Sequence, residues 1–500
     1  MLNQLHPQLL WRHFEQICAV PHPSYHEAAL IKVIEDFADS QGLQHLRDRV
    51  GNLIIRKPAT PGHEQAPGIV LQSHLDMVPQ KSDDSDHDFT RDPIRPRIID
   101  GWVLATDTTL GADNGIGVAA ILAVLEADDL EHGPLEALLT VNEESGMDGA
   151  RGLEPGLLNG SLLLNLDSEQ EAELYVGCAG GIDATAEITL SRSPINDITA
   201  KKTAETTTET TAETTSENIT VKLIVRGLQG GHSGLDINLG RGNANQLLAQ
   251  LLQQLESELQ LALIDFDGGS LRNAIPRRAE ALIQTSAPID VIRNAVARFK
   301  ATLQQQYSQS EPQLEIGVLQ TETHLTPLNT ASQQQLLAAI LQCPHGMTRM
   351  HPQLDGVVET SNNLARVLIT DNRAQLQCLA RSADEGQREA LCRQIETALA
   401  PMSATVSFDG AYPGWTPDLQ SPLLQAMQQQ HQQLFGQQAD IKVIHAGLEC
   451  GLLAAAYPNW QMISFGPTIC FPHSPAEKVE IASVERFWRY LTTSLKQLAL

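Results

Sequence analysis

Four short apolar segments each end at a histidine or lead within a few residues to a histidine or a carboxylate, and this pattern constrains the fold more than any other feature of the chain. The segments are GIVLQSH (68–74), LEALLTV (135–141), SLLLNL (161–166) and QMISFGP (461–467). Nearly continuous apolar runs that alternate with helical patterns are typical of strands buried on both faces of a parallel sheet. The sequence therefore predicts an α/β domain with a mainly parallel sheet.

The side chains at the ends of these segments share one chemistry, because all of them offer a nitrogen or a carboxylate oxygen. They are His74, Asp76, Glu143, Glu144, Asp167 and His473, together with Asp113, which stands before an apolar helical pattern at 114–128. Open parallel sheets bind ligands at the carboxyl ends of their strands. A cluster of carboxylates in a partly buried crevice is costly unless cations compensate it. Histidine and carboxylate ligands without cysteine suit zinc, cobalt or manganese.

Each of these residues alone also has an ordinary structural interpretation. Asp113 could be a helix N-cap, and the pair Glu143 and Glu144 could be a solvated strand end or a helix start. Asp167 could also be an N-cap, and His473 could be a plain loop residue. Their joint occurrence at successive strand ends favours a metal site.

The middle of the chain has a different pattern, in which alternating strands and amphipathic helices predict an α+β unit with antiparallel pairing. We expect this unit to be inserted at 183–407, so that 1–182 and 408–500 form one discontinuous domain. The low-complexity tract at 201–217 is expected to be a surface insertion, with a regulatory or partner-binding segment as the alternative. Near the N-terminus, Ser24 and Glu27 predict a capping box for a helix over 24–40.

Composition excludes some classes of partner. The chain has 34 Lys and Arg against 60 Asp and Glu, so a net charge of −26 disfavours nucleic acid and attracts cations. No uninterrupted apolar run is long enough to span a membrane. The seven scattered cysteines predict reduced thiols in a cytoplasmic protein rather than disulfides. For Cys450, beside Glu449, packing is favoured over chemistry.

Seven motifs in order along the chain resemble one family, the co-catalytic zinc peptidases and deacylases that include carnosinases, aminoacylases and glutamate carboxypeptidases. The motifs are SHLDMVP (73–79), TLGADNGIG (109–117), NEESGMDGA (142–150), NLDSE (165–169), GGHSG (230–234), NAIPR (273–277) and FPHSP (471–475). The resemblance implies a peptidase catalytic domain interrupted by a lid and dimerisation domain. The tract at 201–217 departs from the family core.

The resemblance also implies a role for each residue of the cluster. His74 and Asp167 would hold one of two divalent ions, most simply zinc, with cobalt or manganese as alternatives. Glu144 and His473 would hold the other, and Asp113 would bridge both. Asp76 would orient His74, and Glu143 would be the general base. A cis peptide bond between Asp113 and Asn114 is expected.

From the lid, the resemblance implies that His232 stabilises the oxyanion, in the same chain or in a partner subunit. Asn273 and Arg381 match positions that hold substrate, and Arg381 could clamp a C-terminal carboxylate. Glu449 could bind the substrate's free amine. Without the resemblance, an ordinary loop histidine is the favoured interpretation of His232, and a solvated strand-end arginine is an equal alternative for Arg381.

The function implied is hydrolysis of unblocked dipeptides, preferentially Xaa-His including β-alanyl-histidine, by a cytoplasmic homodimer. The alternatives are an N-acyl amino acid deacylase or a broad-specificity dipeptidase with the same two-ion centre. A catalytically silent binding protein is disfavoured, because Glu143 and all five ligand candidates are present.

Overall fold

The computed structural model describes residues 2–193 and 218–500, so the Thr/Glu tract at 201–217 lies outside the described residues. The chain divides into two compact units. Unit 1 consists of Met1–Cys178, Trp415–Ile444 and Leu448–Leu500, and unit 2 of Ala179–Gly414 and His445–Gly447. The predicted domain boundaries, at 182/183 and 407/408, stay a prediction. None of the helices in the described ranges is long and apolar enough to cross a membrane.

Unit 1 contains two sheets and seven α-helices within its described residues. Its strands are β1 Gln44–Arg47, β2 Leu53–Lys57, β3 Ile69–His74, β4 Pro96–Ile99, β5 Trp102–Ala105, β6 Leu135–Thr140, β7 Leu162–Asn165, β8 Glu173–Cys178, β18 Asp440–Ile444, β19 Gln461–Ser464, β20 Ile469–Cys470 and β21 Lys478–Glu480. Its helices are α1 Gln8–Cys18, α2 Ala28–Ser40, α3 Ala112–Glu126, α4 Asp148–Gly152, α9 Pro422–Phe435, α10 Glu449–Ala456 and α11 Ile481–Leu498.

The larger sheet of unit 1 has the order β1-β2-β6-β3-β7-β19-β8-β18. Its four central strands, β6-β3-β7-β19, are parallel, as the apolar runs predicted. Antiparallel pairings occur at β1–β2, β2–β6 and β19–β8. Because the central strands are parallel, their carboxyl ends lie at one edge of the sheet.

Helix α3 is buried along almost its whole length, which explains its Ala-rich sequence. At Gly117, a Cβ would meet Asn114 Oδ1 at 2.3 Å and Ser73 Oγ at 2.4 Å. The glycine therefore permits close packing of the helix beside the end of β3.

Over its described residues, unit 2 is an α+β unit whose nine-stranded sheet is antiparallel. Its strands are β9 Gly180–Thr189, β10 Ile219–Arg226, β11 Leu261–Gly268, β12 Ala279–Thr285, β13 Glu315–Thr321, β14 Gly346–Met350, β15 Val358–Thr370, β16 Arg373–Ser382 and β17 Thr405–Tyr412. Its helices are α5 Ala244–Glu258, α6 Ile289–Gln306, α7 Thr330–Gln342 and α8 Glu385–Leu399. The order is β13-β10-β12-β11-β15-β16-β9-β17, with β14 paired to β15. The predicted antiparallel pairing is confirmed, for example between β11 and β12.

The predicted capping box is wrong. Helix α2 begins at Ala28, and Glu27 occupies its N-cap without a side-chain capping bond. Ser24 Oγ instead donates to Asp76 Oδ2 at 2.7 Å, and Glu27 Oε1 accepts from the Asn142 backbone N–H at 3.0 Å. Both side chains are used by loops distant in sequence, which outweighs the local capping pattern.

The cysteines lie in the described part of the chain, and five of the seven are buried. Cys450 is fully buried within the apolar cluster that also contains Leu453 and Met462. This is the packing role expected for it.

Candidate metal centre

The carboxyl edge of the central strands in unit 1 carries the predicted cluster. His74 is the last residue of β3, the Glu143–Glu144 pair follows β6, and Asp167 follows β7. Asp113 lies at the start of α3 with a non-helical backbone (φ −83°, ψ 104°), and the predicted cis bond between Asp113 and Asn114 is confirmed. His473 lies between β20 and β21.

These residues form three groups whose potential ligand atoms lie within 4.8 Å of one another. One group joins His74, Asp113 and Asp167, and a second joins Asp113, Glu144 and His473. The third joins His74, Glu143 and Glu144. Asp113 is common to the first two groups, so its carboxylate links them.

The two oxygens of Asp113 face different histidines. His74 Nε2 lies 3.1 Å from Asp113 Oδ1 and 3.2 Å from Asp167 Oδ1. His473 Nε2 lies 3.2 Å from Asp113 Oδ2 and 3.0 Å from Glu144 Oε1. Ligands about 2.1 Å from a tetrahedral zinc ion are about 3.4 Å apart, so these separations are close to those of two ligand sets that share one carboxylate.

The electrostatics of the cluster also fit divalent cations. Glu144 Oε1 and Asp167 Oδ1 are buried, and the described residues give them no well-formed hydrogen bond. Burial raises the pKa of Asp167 to about 6 and the pKa of Glu143 well above its ordinary value. A cation would satisfy these oxygens and compensate their charge. The donor set, nitrogen and carboxylate oxygen without thiolate, suits zinc and similar ions.

Asp76 is buried, and it orients the Glu143–Glu144 loop as well as the His74 ring. Its Oδ1 lies 3.5 Å from His74 Nδ1, but the closer partner of that nitrogen is the Asp76 backbone carbonyl oxygen, at 3.0 Å. The Asp76 carboxylate accepts from the backbone N–H groups of Glu143 and Glu144, at 2.9 and 3.2 Å. Asp76 therefore fixes both acidic residues of that loop.

Sequence reasoning missed several side chains around the cluster. Ser24 holds Asp76, and Glu477 accepts four backbone N–H groups, from Leu110 to Asp113. Burial raises the pKa of Glu169, which lies beside the acidic cluster, to about 8. Glu169 and Glu477 lie inside or next to the motifs NLDSE and FPHSP, which is the one sequence signal that could have identified them.

Glu449 begins α10 and is 1% exposed. Its Oε2 accepts from Gln72 Nε2 at 2.6 Å and from Thr140 Oγ1 at 2.7 Å, whereas Oε1 is buried and has no hydrogen-bond partner in the described part of the chain. Burial raises the pKa of Glu449 to about 7. The predicted amine contact stays a prediction, and Oε1 is the atom that could make it.

The remaining predicted residues belong to unit 2. His232 lies in a loop where Gly231 has φ +127°, and a Cβ at Gly231 would meet Arg241 at 2.0 Å. His232 Nδ1 accepts from the backbone N–H groups of Gly234 and Leu235, at 3.2 and 3.0 Å. The neutral ring therefore carries its proton on Nε2, and burial lowers the pKa of His232 to about 4.

Arg381 lies in β16 and is 4% exposed, with Ser233 Oγ and Tyr412 Oη as hydrogen-bond acceptors. Burial lowers the pKa of Arg381. The side chain of Asn273 is exposed, while its backbone carbonyl accepts from Ser233 N–H at 2.8 Å. Within unit 2, His232, Asn273 and Arg381 are thus linked through Ser233.

The chain is similar to known peptidases along its length. The sequence profile of Peptidase family M20/M25/M40 matches residues 70–497. The chain is 44% identical over 500 residues to the cytosol non-specific dipeptidase of Escherichia coli (strain K12), and the match covers 99% of each chain. The crystal structure of aminoacylhistidine dipeptidase from Vibrio alginolyticus matches with a TM-score of 0.87 and 44% identity, covering 99% of this chain and 98% of that one.

A more distant match shows the fold alone. The crystal structure of aminopeptidase PepT from Bacillus cereus ATCC 10987 matches with a TM-score of 0.58 at 16% identity, covering 99% of this chain and all of that one. The predicted fold class is confirmed, and so is the resemblance on which the family assignment was based. The profile match and the two full-length similarities show that the chain belongs to Peptidase family M20/M25/M40.

Proposed function

We propose that the protein hydrolyses the peptide bond of unblocked dipeptides with the help of two divalent cations. The observation that carries this proposal is the pair of ligand groups that share Asp113. Full-length similarity to two proteins named as dipeptidases supports the reaction class.

In this proposal His74 and Asp167 would hold one ion, Glu144 and His473 would hold the other, and Asp113 would be a ligand shared by the two. Zinc suits the ligands best, and cobalt or manganese would also be accepted. When bound, such an ion pair acidifies water and polarises the substrate carbonyl. Asp76 keeps the His74 ring and the Glu143–Glu144 loop oriented.

Glu143 is the general base. It belongs to the group that contains His74 and Glu144, so it lies within 4.8 Å of a ligand atom of each proposed ion. Burial raises the pKa of Glu143, which strengthens it as a proton acceptor and lets it keep the proton until the leaving amine takes it.

Unit 2 supplies the groups that recognise the substrate. A neutral His232 with its proton on Nε2 is a hydrogen-bond donor, as stabilisation of an oxyanion requires. Arg381 offers a buried guanidinium to the C-terminal carboxylate, and Asn273 offers an exposed amide. Glu449, in unit 1, receives the free amine of the substrate.

Xaa-His dipeptides, including β-alanyl-histidine, are the preferred substrates in this proposal. The name of the Vibrio alginolyticus relative points to histidine at the second position, whereas the name of the Escherichia coli relative favours the broad-specificity alternative. The N-acyl amino acid deacylase is the second alternative.

A substrate comparison tests the reaction and its specificity. We expect the zinc-loaded protein to cleave β-alanyl-histidine and alanyl-histidine with a higher kcat/KM than alanyl-alanine, and N-acetyl-histidine least. Similar values for alanyl-histidine and alanyl-alanine would favour the broad dipeptidase. Faster turnover of N-acetyl-histidine would reject the dipeptidase proposal in favour of a deacylase.

The proposed homodimer is tested separately by light scattering of the purified protein. Mixing inactive Glu143→Gln chains with inactive His232→Gln chains then distinguishes two arrangements. Recovery of activity in the mixture would show that His232 acts on the centre of its partner, and no recovery would place its action within one chain.

A further inference from the structure

Glu477 has an unusual set of partners for a carboxylate. Glu477 is 2% exposed, and its carboxylate accepts hydrogen bonds from four consecutive backbone N–H groups. Oε2 accepts from Leu110 and Gly111 at 2.7 and 3.0 Å. Oε1 accepts from Ala112 and Asp113 at 2.7 and 3.3 Å.

The start of α3 explains why these N–H groups need an acceptor. The first N–H groups of a helix have no partner within the helix, and the N-cap side chain commonly accepts from them. In α3 the N-cap is Gly111, which has no side chain and has φ +70°. A glutamate distant in the chain therefore performs the capping, and the hydrogen bonds offset the cost of burying its charge.

The capped segment ends at Asp113, the residue shared by the two ligand groups. Asp113 has a non-helical ψ of 104°, so the regular helix does not fix its backbone. Glu477 also lies four residues after His473, and its own N–H donates to Ser474 O at 3.0 Å. One short loop therefore carries a proposed ligand and the group that holds the backbone of the shared ligand.

We propose that Glu477 is a positioning residue that holds Asp113 so that its two oxygens face two separate cations. This inference rests on the proposed function. Glu477 contacts the backbone before Asp113 rather than the reacting atoms, so its loss should weaken binding of the ion pair and lower kcat while leaving KM little changed.

The test compares Glu477→Gln and Glu477→Asp with Glu136→Gln as the matched control. Glu136 is also buried, and its Oε2 accepts from the backbone N–H groups of Asn159 and Gly160, at 2.7 and 2.8 Å. Glu136 is the second residue of β6, whereas Glu143 and Glu144 follow the opposite end of that strand. Each metal-free protein is titrated with Zn²⁺ against a chromophoric chelator, and the Co²⁺ absorption spectrum is recorded. Thermal unfolding of the metal-free proteins monitors the fold.

We expect Glu477→Gln to weaken binding of at least one Zn²⁺ by tenfold or more and to alter the Co²⁺ spectrum, since an amide cannot accept all four N–H groups. Glu477→Asp, which keeps the carboxylate on a shorter side chain, should recover part of the affinity and also serves if the glutamine variant fails to fold. Glu136→Gln should bind Zn²⁺ within twofold of wild type.

Wild-type affinity and an unchanged Co²⁺ spectrum in both Glu477 variants would overturn the inference. Failure of the wild-type protein to bind two ions would reject the proposed function itself.

Discussion

Both units contain buried or half-buried histidines, but the two histidines of the acidic cluster in unit 1, His74 and His473, have surroundings opposite to those of the buried histidines in unit 2. In unit 1, the hydrogen bond to Asp113 and the neighbouring carboxylate of Glu144 raise the pKa of His473 to about 11. Burial alone would lower the pKa of His74. The neighbouring carboxylates of Asp167 and Asp113 outweigh this effect, so the pKa of His74 lies well above its ordinary value. These rings face carboxylates, so they must either carry protons or share those carboxylates with a cation.

In unit 2, burial rather than a neighbouring carboxylate dominates the pKa of the buried histidines. Burial lowers the pKa of His232 and of His345 to about 4, and that of His445 to about 3. These rings are therefore neutral at pH 7, and the buried positive charge beside His232 and His445 is Arg381. The comparison indicates that the acidic cluster of unit 1 suits cations, whereas the neutral histidines and Arg381 of unit 2 suit the anionic groups that we propose they bind.

The largest expected effect tests whether the chemistry resides in unit 1. We expect Glu143→Gln to lower kcat by roughly 10²–10⁴-fold, the usual contribution of a general base. The number of bound Zn²⁺ ions, measured by elemental analysis, should stay at the wild-type value because Glu143 is outside the five proposed ligands. Activity within a few-fold of wild type would show that another group removes the proton.

The ligand candidates could be predicted from sequence because they follow buried strands whose order in the chain is clear. His74, Glu144 and Asp167 each come at or just after the end of a central strand, and parallel strands bring such ends to one edge. The helix that follows Asp113 and the antiparallel pairing in unit 2 could also be predicted, from the periodicity of their apolar residues.

The supporting contacts could not be predicted, because each joins segments far apart in the chain. Ser24 and Glu27 match a local capping pattern, yet their partners are Asp76 and Asn142. Glu477 caps a helix that begins 365 residues earlier in the chain. Local propensity contains no information about such partners, which only the packed fold supplies.

A smaller effect tests whether the positive charge of unit 2 binds the substrate. We expect Arg381→Met to lower kcat/KM by roughly 10- to 150-fold, mainly through KM, because hydrogen bonds to a charged group contribute about 1.5–3 kcal/mol. Zn²⁺ binding should not change. Arg192→Met is the matched control, since the Arg192 guanidinium donates to the backbone carbonyls of Ile264, Thr326 and Asp371.

A substrate whose C-terminal carboxylate is replaced by a carboxamide shows which group Arg381 contacts. Wild type should lose a similar factor with this substrate, and Arg381→Met should lose little more. Equal sensitivity of both proteins to the carboxamide would mean that Arg381 does not bind the carboxylate.

The smallest expected effect concerns the pH dependence of stability. It tests whether the buried histidines of unit 2 are neutral in the folded protein. Between pH 6.5 and about 3, unfolded His445 binds a proton that the folded ring does not. The unfolded state then binds more protons, so the free energy of unfolding falls as pH falls, by up to about 1.4 kcal/mol per pH unit for each such histidine.

His445 Nε2 lies 2.8 Å from Ser361 Oγ, and a glutamine amide can preserve this contact. We therefore expect His445→Gln to flatten the pH dependence of amide-exchange protection in unit 2 by about that amount, whereas His324→Gln controls for the loss of an exposed imidazole in the same unit. An equally steep acid dependence in His445→Gln and wild type would mean that His445 is not the buried neutral group that the comparison between the units requires.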